Sequence, residues 1–293
     1  MCEGSLGLRV LLPLSGETFW LPHCGPQTTA RQLKEELELV AGIPLHCQRL
    51  LYLDQGVLMD ESTIRFHDIV PGGIITMCIW HEDGWEDLVL AAIEGDIKKL
   101  SCLGVTEDSS YQTAHSKCLG AKEKKEWVAH RAFVAFYIAA HRNHSSVVHY
   151  FLQNGIDYMK KTPAGRTALH VASSMGNVNC VDLLLQHEEL VSERDSKGQT
   201  AMSLARQWRR KQSEQKLFLF QWKKRVSSSA KSRSLQVSKD STEFISDLRR
   251  HGDIQNHAKA FSDRLSGYTS PRDSREVLAI SVMETLHLIQ LRY

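Results

Sequence analysis

The sequence lacks any long hydrophobic run. Its longest uninterrupted apolar stretch, AFVAFYIAA at 132–140, has nine residues, whereas a membrane-spanning helix needs roughly 20. An apolar run at 5–14 is interrupted by Arg9 and followed by a turn, a pattern that favours a first β-strand over a targeting segment. We therefore expect no membrane partner.

Closely spaced cysteines are missing too. The seven cysteines are an odd number, lie far apart in the chain and never form a Cys-x-x-Cys. This spacing argues against a disulfide framework and indicates a reducing compartment, so we expect an intracellular protein of the cytoplasm and/or nucleus. The formal net charge of +2 gives no bulk attraction to nucleic acid.

Catalytic motifs are absent from the sequence. No Gly-x-Ser-x-Gly, no phosphate-binding loop and no cluster of metal ligands occurs. His81-Glu82 does not continue into a zinc-protease helix, because Trp85 stands where the second histidine should be. His46-Cys47 suggests a nucleophile pair, but sequence neighbours rarely reach the required geometry, so Cys47 is interpreted as structural. We expect no enzyme activity, no cofactor and no metal.

The first eighty residues do contain four β-prone runs, at 8–14, 18–21, 50–53 and 74–80. Between the second and the third, apolar residues recur every three or four positions from Ala30, a pattern typical of an amphipathic helix. Gly42 supplies a C-terminal stop, and Pro44 prevents the helix from continuing. This order of elements predicts an α+β domain in which one helix lies across a mixed sheet.

Several short motifs in this region occur in the order found in ubiquitin. They are LSG at 14–16, GIP at 42–44, QRLLY at 48–52 and LMDESTI at 58–64. The region resembles ubiquitin through these motifs. The resemblance implies a β-grasp fold, and we assign a ubiquitin-like domain to residues 5–81.

The conjugation chemistry of ubiquitin is not expected here. Conjugation requires an extended tail that ends in Gly-Gly, whereas Gly72-Gly73 precedes the last predicted strand and serves as its turn. After Trp80 the chain continues as HEDGWEDL, and Lys34 is the only lysine among the first eighty residues. We therefore expect a domain that other proteins read but that is never attached to them.

The resemblance also implies a recognition surface. The apolar patch that ubiquitin receptors read would correspond to Leu14, Leu51, Thr76 and Cys78, with Arg49 beside it. The two leucines keep the aliphatic anchors on which a partner could dock, but Thr76 replaces a histidine of the family and Cys78 a valine. The open alternative is that these are ordinary outward-facing strand residues without a partner.

The next part of the chain repeats itself. RTALHVA at 166–172 is echoed 33 residues later by QTAMSLA at 199–205, and FVAFYIA at 133–139 lies 33 residues earlier. This period, and the Thr-Ala-Leu-His of the best unit, resemble the ankyrin repeat, although Ala168 replaces the proline of the family signature.

The ankyrin resemblance implies an all-α solenoid over residues 84–225. We divide it into about four units, at 84–104, 129–161, 162–194 and 195–225, with a 15-residue insertion after the first. Because one unit cannot bury its own apolar face, neighbouring units must stack. His170, in the turn into its helix, is interpreted as a structural hydrogen-bonding residue rather than as a ligand.

Ankyrin arrays bind partners through their turn tips and inner helices. By the resemblance, Arg166 and Lys197 lie on tips, and the inner helices carry His141, Arg142, Ser174, Met175, Gln207 and Trp208. Arginine and tryptophan are over-represented among interface hot spots. For Trp208 the alternative, a cap against the segment that follows the stack, stays open.

Two basic clusters, eleven residues apart, follow the last clear repeat motif: Arg209, Arg210 and Lys211, then Lys223, Lys224 and Arg225. Their spacing suits a bipartite nuclear import signal, and the charges could also contact phosphates. The interpretation we favour is a solvated outer helix face, with Phe218 and its apolar neighbours packed inward.

The end of the chain has a different composition. Residues 226–273 are polar and mixed, and we predict a flexible linker region there. At 274–293 a helical pattern returns, with apolar residues around more than half of its circumference, so this C-terminal helix needs a covering surface. We expect a partly disordered, helix-containing tail.

The combination of a ubiquitin-like domain with ankyrin repeats resembles the ankyrin repeat and ubiquitin domain-containing family. It implies a non-catalytic adaptor or scaffold whose ubiquitin-like domain docks on ubiquitin-reading machinery while the repeats hold a client protein. We therefore expect protein partners, not membranes or nucleic acid. The alternative is a nuclear regulatory, transcription-associated binding protein that is directed by the import signal.

Overall fold

The structure, a computed structural model, describes residues 6–53, 56–186 and 191–226. The sheet and the helices up to Lys224 pack as one compact unit. The predicted linker beyond residue 226 and the predicted C-terminal helix at 274–293 lie outside the described residues. Within the described ranges, no helix combines the length and the apolar character that a membrane crossing requires.

The N-terminal part is built on a mixed four-stranded sheet. Its strands are β1 (Leu6–Leu12), β2 (Glu17–Cys24), β3 (Gln48–Leu51) and β4 (Ile74–Ile79). They lie in the order β2-β1-β4-β3, with β1 parallel to β4 and the other two pairs antiparallel. We call this part, up to residue 81, the sheet domain.

One helix, α1 (Ala30–Val40), covers one face of this sheet. Thr29 begins it with a capping box, because its hydroxyl accepts the Gln32 N–H and its own N–H donates to the Gln32 side chain. Leu33 and Leu37 belong to the hydrophobic core of the sheet domain. Alternate strand residues point into that core, which leaves the other face of the sheet uncovered by α1.

The four predicted strands and the helix are confirmed in order and type, but the third strand is shifted. It was expected at 50–53 and instead begins at Gln48 and ends at Leu51. Leu53 has a φ of 48°, outside the β region, so a strand cannot pass through it. Gln48 is buried, and its side-chain amide is satisfied there by donating to the carbonyl of Ile43 at 2.7 Å.

Helices and the segments that connect them make up the rest of the described chain. They are α2 (Trp85–Glu94), α3 (Ile97–Ser101), α4 (Ala114–Cys118), α5 (Ala121–His141), α6 (Ser145–Gln153), α7 (Ala168–Met175), α8 (Val178–Leu184), α9 (Ala201–Gln207) and α10 (211–226). α2 packs on α5, α5 on α7, and α7 on α9. Ala139, Ala172 and Ala205 are fully buried, and their small side chains allow the helices to approach closely.

The repeated threonines explain where these helices begin. Thr167 and Thr200 are the N-caps of α7 and α9. The Thr167 N–H donates to Nδ1 of buried His170, so Nε2 carries the proton and donates to the Gln199 carbonyl at 3.2 Å. His170 therefore ties two successive units together, which confirms the structural role predicted for it.

The predicted insertion after the first unit forms α4 and the first turns of α5, and its packing centres on Arg131. The guanidinium carbon of this buried residue lies 4.8 to 5.2 Å from three ring centroids, those of Trp85, Tyr111 and Trp127. Nε donates to the Leu103 carbonyl at 2.9 Å, and Nη1 donates to the Asp83 carbonyl at 2.8 Å. One long side chain thus joins the insertion to the first helix pair.

Replacing Arg131 by methionine should lower the free energy of unfolding by about 3 kcal/mol, because buried carbonyl groups lose their donor. Urea denaturation of the full chain measures this loss. Arg194→Met is the matched control, since Arg194 also donates to a carbonyl but is exposed. A similar effect of the two substitutions would contradict the role given to Arg131.

Candidate protein-binding surfaces

The face of the sheet that α1 leaves uncovered carries the predicted recognition patch. We call it the outer sheet face. Leu51 lies opposite Thr76 across β3 and β4, and Arg49 lies opposite Cys78. All four are half-buried, as is Leu14 in the turn after β1. The structure brings the four strand residues together, and their use by a receptor stays a prediction.

At one end of the outer sheet face, an aromatic ring holds the side chain of Arg49 in place. The guanidinium carbon of Arg49 lies 4.4 Å from the centroid of the Trp80 ring, a cation–π geometry. Trp80 in turn donates from Nε1 to the carbonyl of His46 at 3.2 Å. Burial raises the pKa of the neighbouring Cys78 thiol, which disfavours its thiolate form.

The outer sheet face extends beyond the predicted patch. Arg9 pairs with Trp20 on one side and with Ile74 on the other, and these two apolar side chains are 53% and 52% exposed. Gly7 lies beneath the indole, where a methyl group would overlap the ring. The sequence analysis did not name these residues, although period-two alternation places Trp20 on the outward side of β2.

The opposite side of the sheet domain is docked on the helices. We call this contact the joint. On the sheet-domain side it comprises Glu17, Glu35, Glu36 and residues 38–46; on the helical side it comprises His130, Tyr137, His141, Arg142, Thr162, Arg166 and Lys197. The joint therefore uses α1, the segment after it and Glu17 of β2, not the outer sheet face.

Glu38 is the buried centre of the joint. One carboxylate oxygen accepts hydrogen bonds from the hydroxyls of Tyr137 and Thr162, at 3.1 and 2.7 Å, and the other accepts the Leu45 N–H at 2.9 Å. Burial raises the pKa of this carboxyl, and these donors together with the Arg166 guanidinium oppose the rise. Because two donors belong to the helical region, Glu38 is fully paired only when the joint is closed.

Arg166 supplies the matching charge. Its side chain is 1% exposed, and its Nη1 lies 3.5 Å from the Glu38 carboxylate. The same nitrogen donates to the Glu35 carbonyl at 2.6 Å, and Nε lies 3.7 Å from the carboxylate of Asp195. In this conformation the predicted turn-tip arginine is buried and contacts groups of its own chain.

Two further cations of the predicted repeat face contact the rim of the joint. Arg142 donates from both Nη atoms to the two carboxylate oxygens of Glu17, at 2.5 and 2.7 Å. This bidentate contact lowers the pKa of the Glu17 carboxyl. Lys197 lies 3.4 and 3.3 Å from the carboxylates of Glu35 and Glu36.

His141 closes the joint beside Arg142. It is 4% exposed, and its Nε2 donates to the Leu39 carbonyl at 3.0 Å. The backbone of Gly42 lies against the imidazole with a φ of 78°, and a methyl group there would overlap the ring. Both the left-handed backbone and the close approach require glycine at this position.

The other predicted residues of the repeat face make contacts within the repeats. Ser174 is buried and donates to a carbonyl of its own helix. Gln207 accepts a hydrogen bond from Gln199 at 2.8 Å. Met175 and Trp208 are half-buried at the ends of α7 and α9. As client contacts, these four residues stay predictions.

The first basic cluster ends at Lys211, the first residue of α10, and the second lies in the last turns of that helix. Arg209 has a φ of 55°, and Arg210 donates to the Ser174 carbonyl at 3.1 Å. The helical rise places Lys211 and Lys223 about 18 Å apart, and the role of the two clusters in import stays a prediction. Leu217 is fully buried, but Phe218 is 51% exposed, so the prediction that Phe218 packs inward is wrong. Adjacent side chains of a helix point about 100° apart, so Leu217 can face the repeats while Phe218 faces outward.

The joint was not predicted, but the sequence contains a signal for it. Negative charge is unfavourable near the C-terminus of a helix. α1 nevertheless carries Glu35, Glu36 and Glu38 in its C-terminal half and has no basic residue in its last turn. Such a helix requires cations from elsewhere in the structure, and Arg166 and Lys197 supply them.

In the described ranges, the candidate metal ligands lie apart from one another and the thiol of Cys47 is buried. There, no three His, Cys, Asp or Glu side chains converge as a metal site would need. Cys47 is buried in the core of the sheet domain, and burial raises the pKa of its thiol far above the ordinary range. The interpretation of His46-Cys47 as a nucleophile pair is therefore not supported.

Substituting Glu38 by leucine should destabilise the chain by about 3–5 kcal/mol, because Arg166 would then be buried without this carboxylate. Urea denaturation of the full chain tests this. The matched control is Glu36→Leu, which removes a half-exposed ion pair with Lys197 and should cost less than about 1 kcal/mol. Equal losses for the two variants would show that Glu38 has no special role.

The helical region matches a known family. Residues 136–220 match the family model for ankyrin repeats, in three copies. The matched segment runs from the end of α5 into α10, while the first predicted unit at 84–104 lies outside it, although α2 and α3 form a helix pair there. The ankyrin prediction is confirmed for 136–220, and this part of the chain is an array of ankyrin repeats, a module for protein–protein interaction.

Proposed function

We propose that this protein is a non-catalytic adaptor with a ubiquitin-like sheet domain and ankyrin repeats. In this proposal, the outer sheet face docks on ubiquitin-reading machinery, and the repeats hold a client protein. The observation that carries the proposal is the orientation of the sheet domain, which is docked through α1.

The order of the elements supports the ubiquitin-like assignment. Two antiparallel strands, a single helix and two further strands form a mixed sheet in which the first and last strands are central and parallel. The motifs that resemble ubiquitin fall on matching elements, with GIP at 42–44 directly after α1 and QRLL at 48–51 forming β3.

The joint also supports use of the outer sheet face by partners. Contacts to the repeats come from α1, from the segment after it and from Glu17 in the hairpin. Leu51 and Thr76 lie on the other side of the sheet, near the exposed Trp20 and Ile74. A half-exposed aliphatic surface with flanking arginines is suited to a protein partner.

For the client, the joint narrows the available repeat surface. The sheet domain occupies the tips and helix ends that carry Arg142, Arg166 and Lys197. What remains of the predicted face is its later part, with Met175, and the end of α9. We propose that the client contacts this later part.

Leu51→Ala should weaken binding to ubiquitin receptors at least tenfold, because it removes a central aliphatic anchor. The measurement is the affinity of the purified full chain for a panel of ubiquitin receptors and for the proteasome. Phe66→Ala is the matched control, since Phe66 is 70% exposed but lies outside the strands. Equal thermal stability of the two variants would show that any loss reflects the surface and not the fold.

Two results would contradict this role. The first is a wild-type chain that binds none of the receptors, and the second is a Leu51→Ala chain that binds them as well as wild type. Either result would remove the outer sheet face as the basis for adaptor function.

A further inference from the structure

Three histidines lie in the joint. The ring of His46, in the segment after α1, faces the ring of His130 on α5, with centroids 4.7 Å apart. His141, at the end of α5, lies against Gly42. The two sides of the joint therefore meet at imidazole groups in two separate places.

The His46–His130 pair has positive charge around it. Both ring nitrogens of His46 are buried and lack a hydrogen-bond partner within the described residues. The charged neighbours of the pair are Arg131 on α5 and Lys160 in the segment between α6 and α7. Trp85 of α2 contacts His130, with the ring centroids 5.5 Å apart. A proton on His46 would lie near Lys160 and the second imidazole, and a proton on His130 would lie near both Lys160 and Arg131.

His141 is held in its neutral form. Its Nε2 donates to the Leu39 carbonyl, while buried Nδ1 lacks a hydrogen-bond partner in the described part of the chain. A second proton would therefore have no acceptor and would lie beside the guanidinium of Arg142. Because the imidazole is 4% exposed, water cannot compensate for that charge.

We propose that the joint is acid-sensitive: protonation of His46, His130 and His141 releases the sheet domain from the ankyrin repeats. Release would free Arg142, Arg166 and Lys197, the cations of the predicted client-binding face that α1 and Glu17 occupy in the closed chain. The joint would then act as a built-in cover of that face.

The direction of the pH effect follows from burial. Burial lowers the pKa of each of the three imidazoles to about 4, from an ordinary value of 6.5. The released form therefore binds more protons than the docked form between these values. Docking is fully favoured above pH 6.5 and weakens as the pH falls towards 4. At pH 5.5 each histidine should shift the equilibrium about tenfold towards release.

Four carboxylates contribute negative charge around the joint. Glu17 lies near His141, Glu38 lies at the centre of the joint, and Asp157 and Glu126 lie near Lys160. Glu17 partly offsets the positive charge at His141. Glu38, whose pKa burial raises, is itself stabilised by acid in the docked form and so opposes release. All four are kept in every variant, so differences between variants report the histidines alone.

Hydrogen exchange of the full chain from pH 7.5 to 4.5, corrected for the intrinsic exchange rate at each pH, tests the proposal. Amides on the sheet-domain side of the joint, at 39–46, should lose protection as the pH falls below 6.5. Amides of α7 should stay protected over the range in which the joint opens. Loss of protection in α7 at the same pH would mean that acid unfolds the repeats, and would overturn the proposal.

Histidine variants test whether the three imidazoles cause the acid response. A chain with His46→Leu, His130→Leu and His141→Gln should lose most of the acid response, because glutamine can still donate to the Leu39 carbonyl. His23→Gln is the matched control, since His23 is exposed on β2, and it should respond as wild type does. If the triple variant fails to fold, His46→Leu alone decides, and it should reduce the response about tenfold at pH 5.5. An unchanged acid response in the folded variant would overturn the proposal.

Discussion

The buried ion pair between Glu38 and Arg166 joins the sheet domain to the ankyrin repeats at the centre of the joint. Both side chains are almost without solvent contact, and a charge in such a place is tolerated only while its partners remain. The carboxylate also requires the hydroxyls of Tyr137 and Thr162, which belong to the helical region. The position of the sheet domain on the repeats therefore follows from the pairing of one carboxylate. Exposed pairs at the rim, such as Lys197 with Glu36, add orientation more than free energy.

Docking through α1 separates the two sides of the sheet domain by role. One side is an internal surface of the protein, while the outer sheet face keeps Leu51, Thr76 and the exposed Trp20 away from the joint. This arrangement is suited to a domain that is presented to partners at a fixed orientation. It also means that deletion of the first 80 residues would uncover Arg166 and its neighbours. Point substitutions on the outer sheet face can therefore separate functions that a deletion would mix.

Sequence patterns predicted each half well and their contact poorly. Runs of β-prone residues identified the strands, apolar spacings of three and four identified α1, and the 33-residue period identified the repeats, because these signals are local. The use of Arg166 and Lys197 was predicted as binding to a client, and their partners in the structure are the glutamates of α1. Periodicity reports which face of an element is buried but not which distant element buries it. Acidic residues at the C-terminal end of α1, where the helix dipole disfavours them, were the one local sign of that contact.

A double-mutant cycle on Glu38 and Arg166 tests the central claim most directly. Glu38→Ala, Arg166→Ala and the double variant of the full chain are compared with wild type by urea denaturation at neutral pH. The closed joint predicts a coupling free energy of about 2–3 kcal/mol, because the second substitution removes a charge that the first has left unpaired. Additivity of the two single losses within about 0.5 kcal/mol would show that the two side chains do not interact, and would contradict the account.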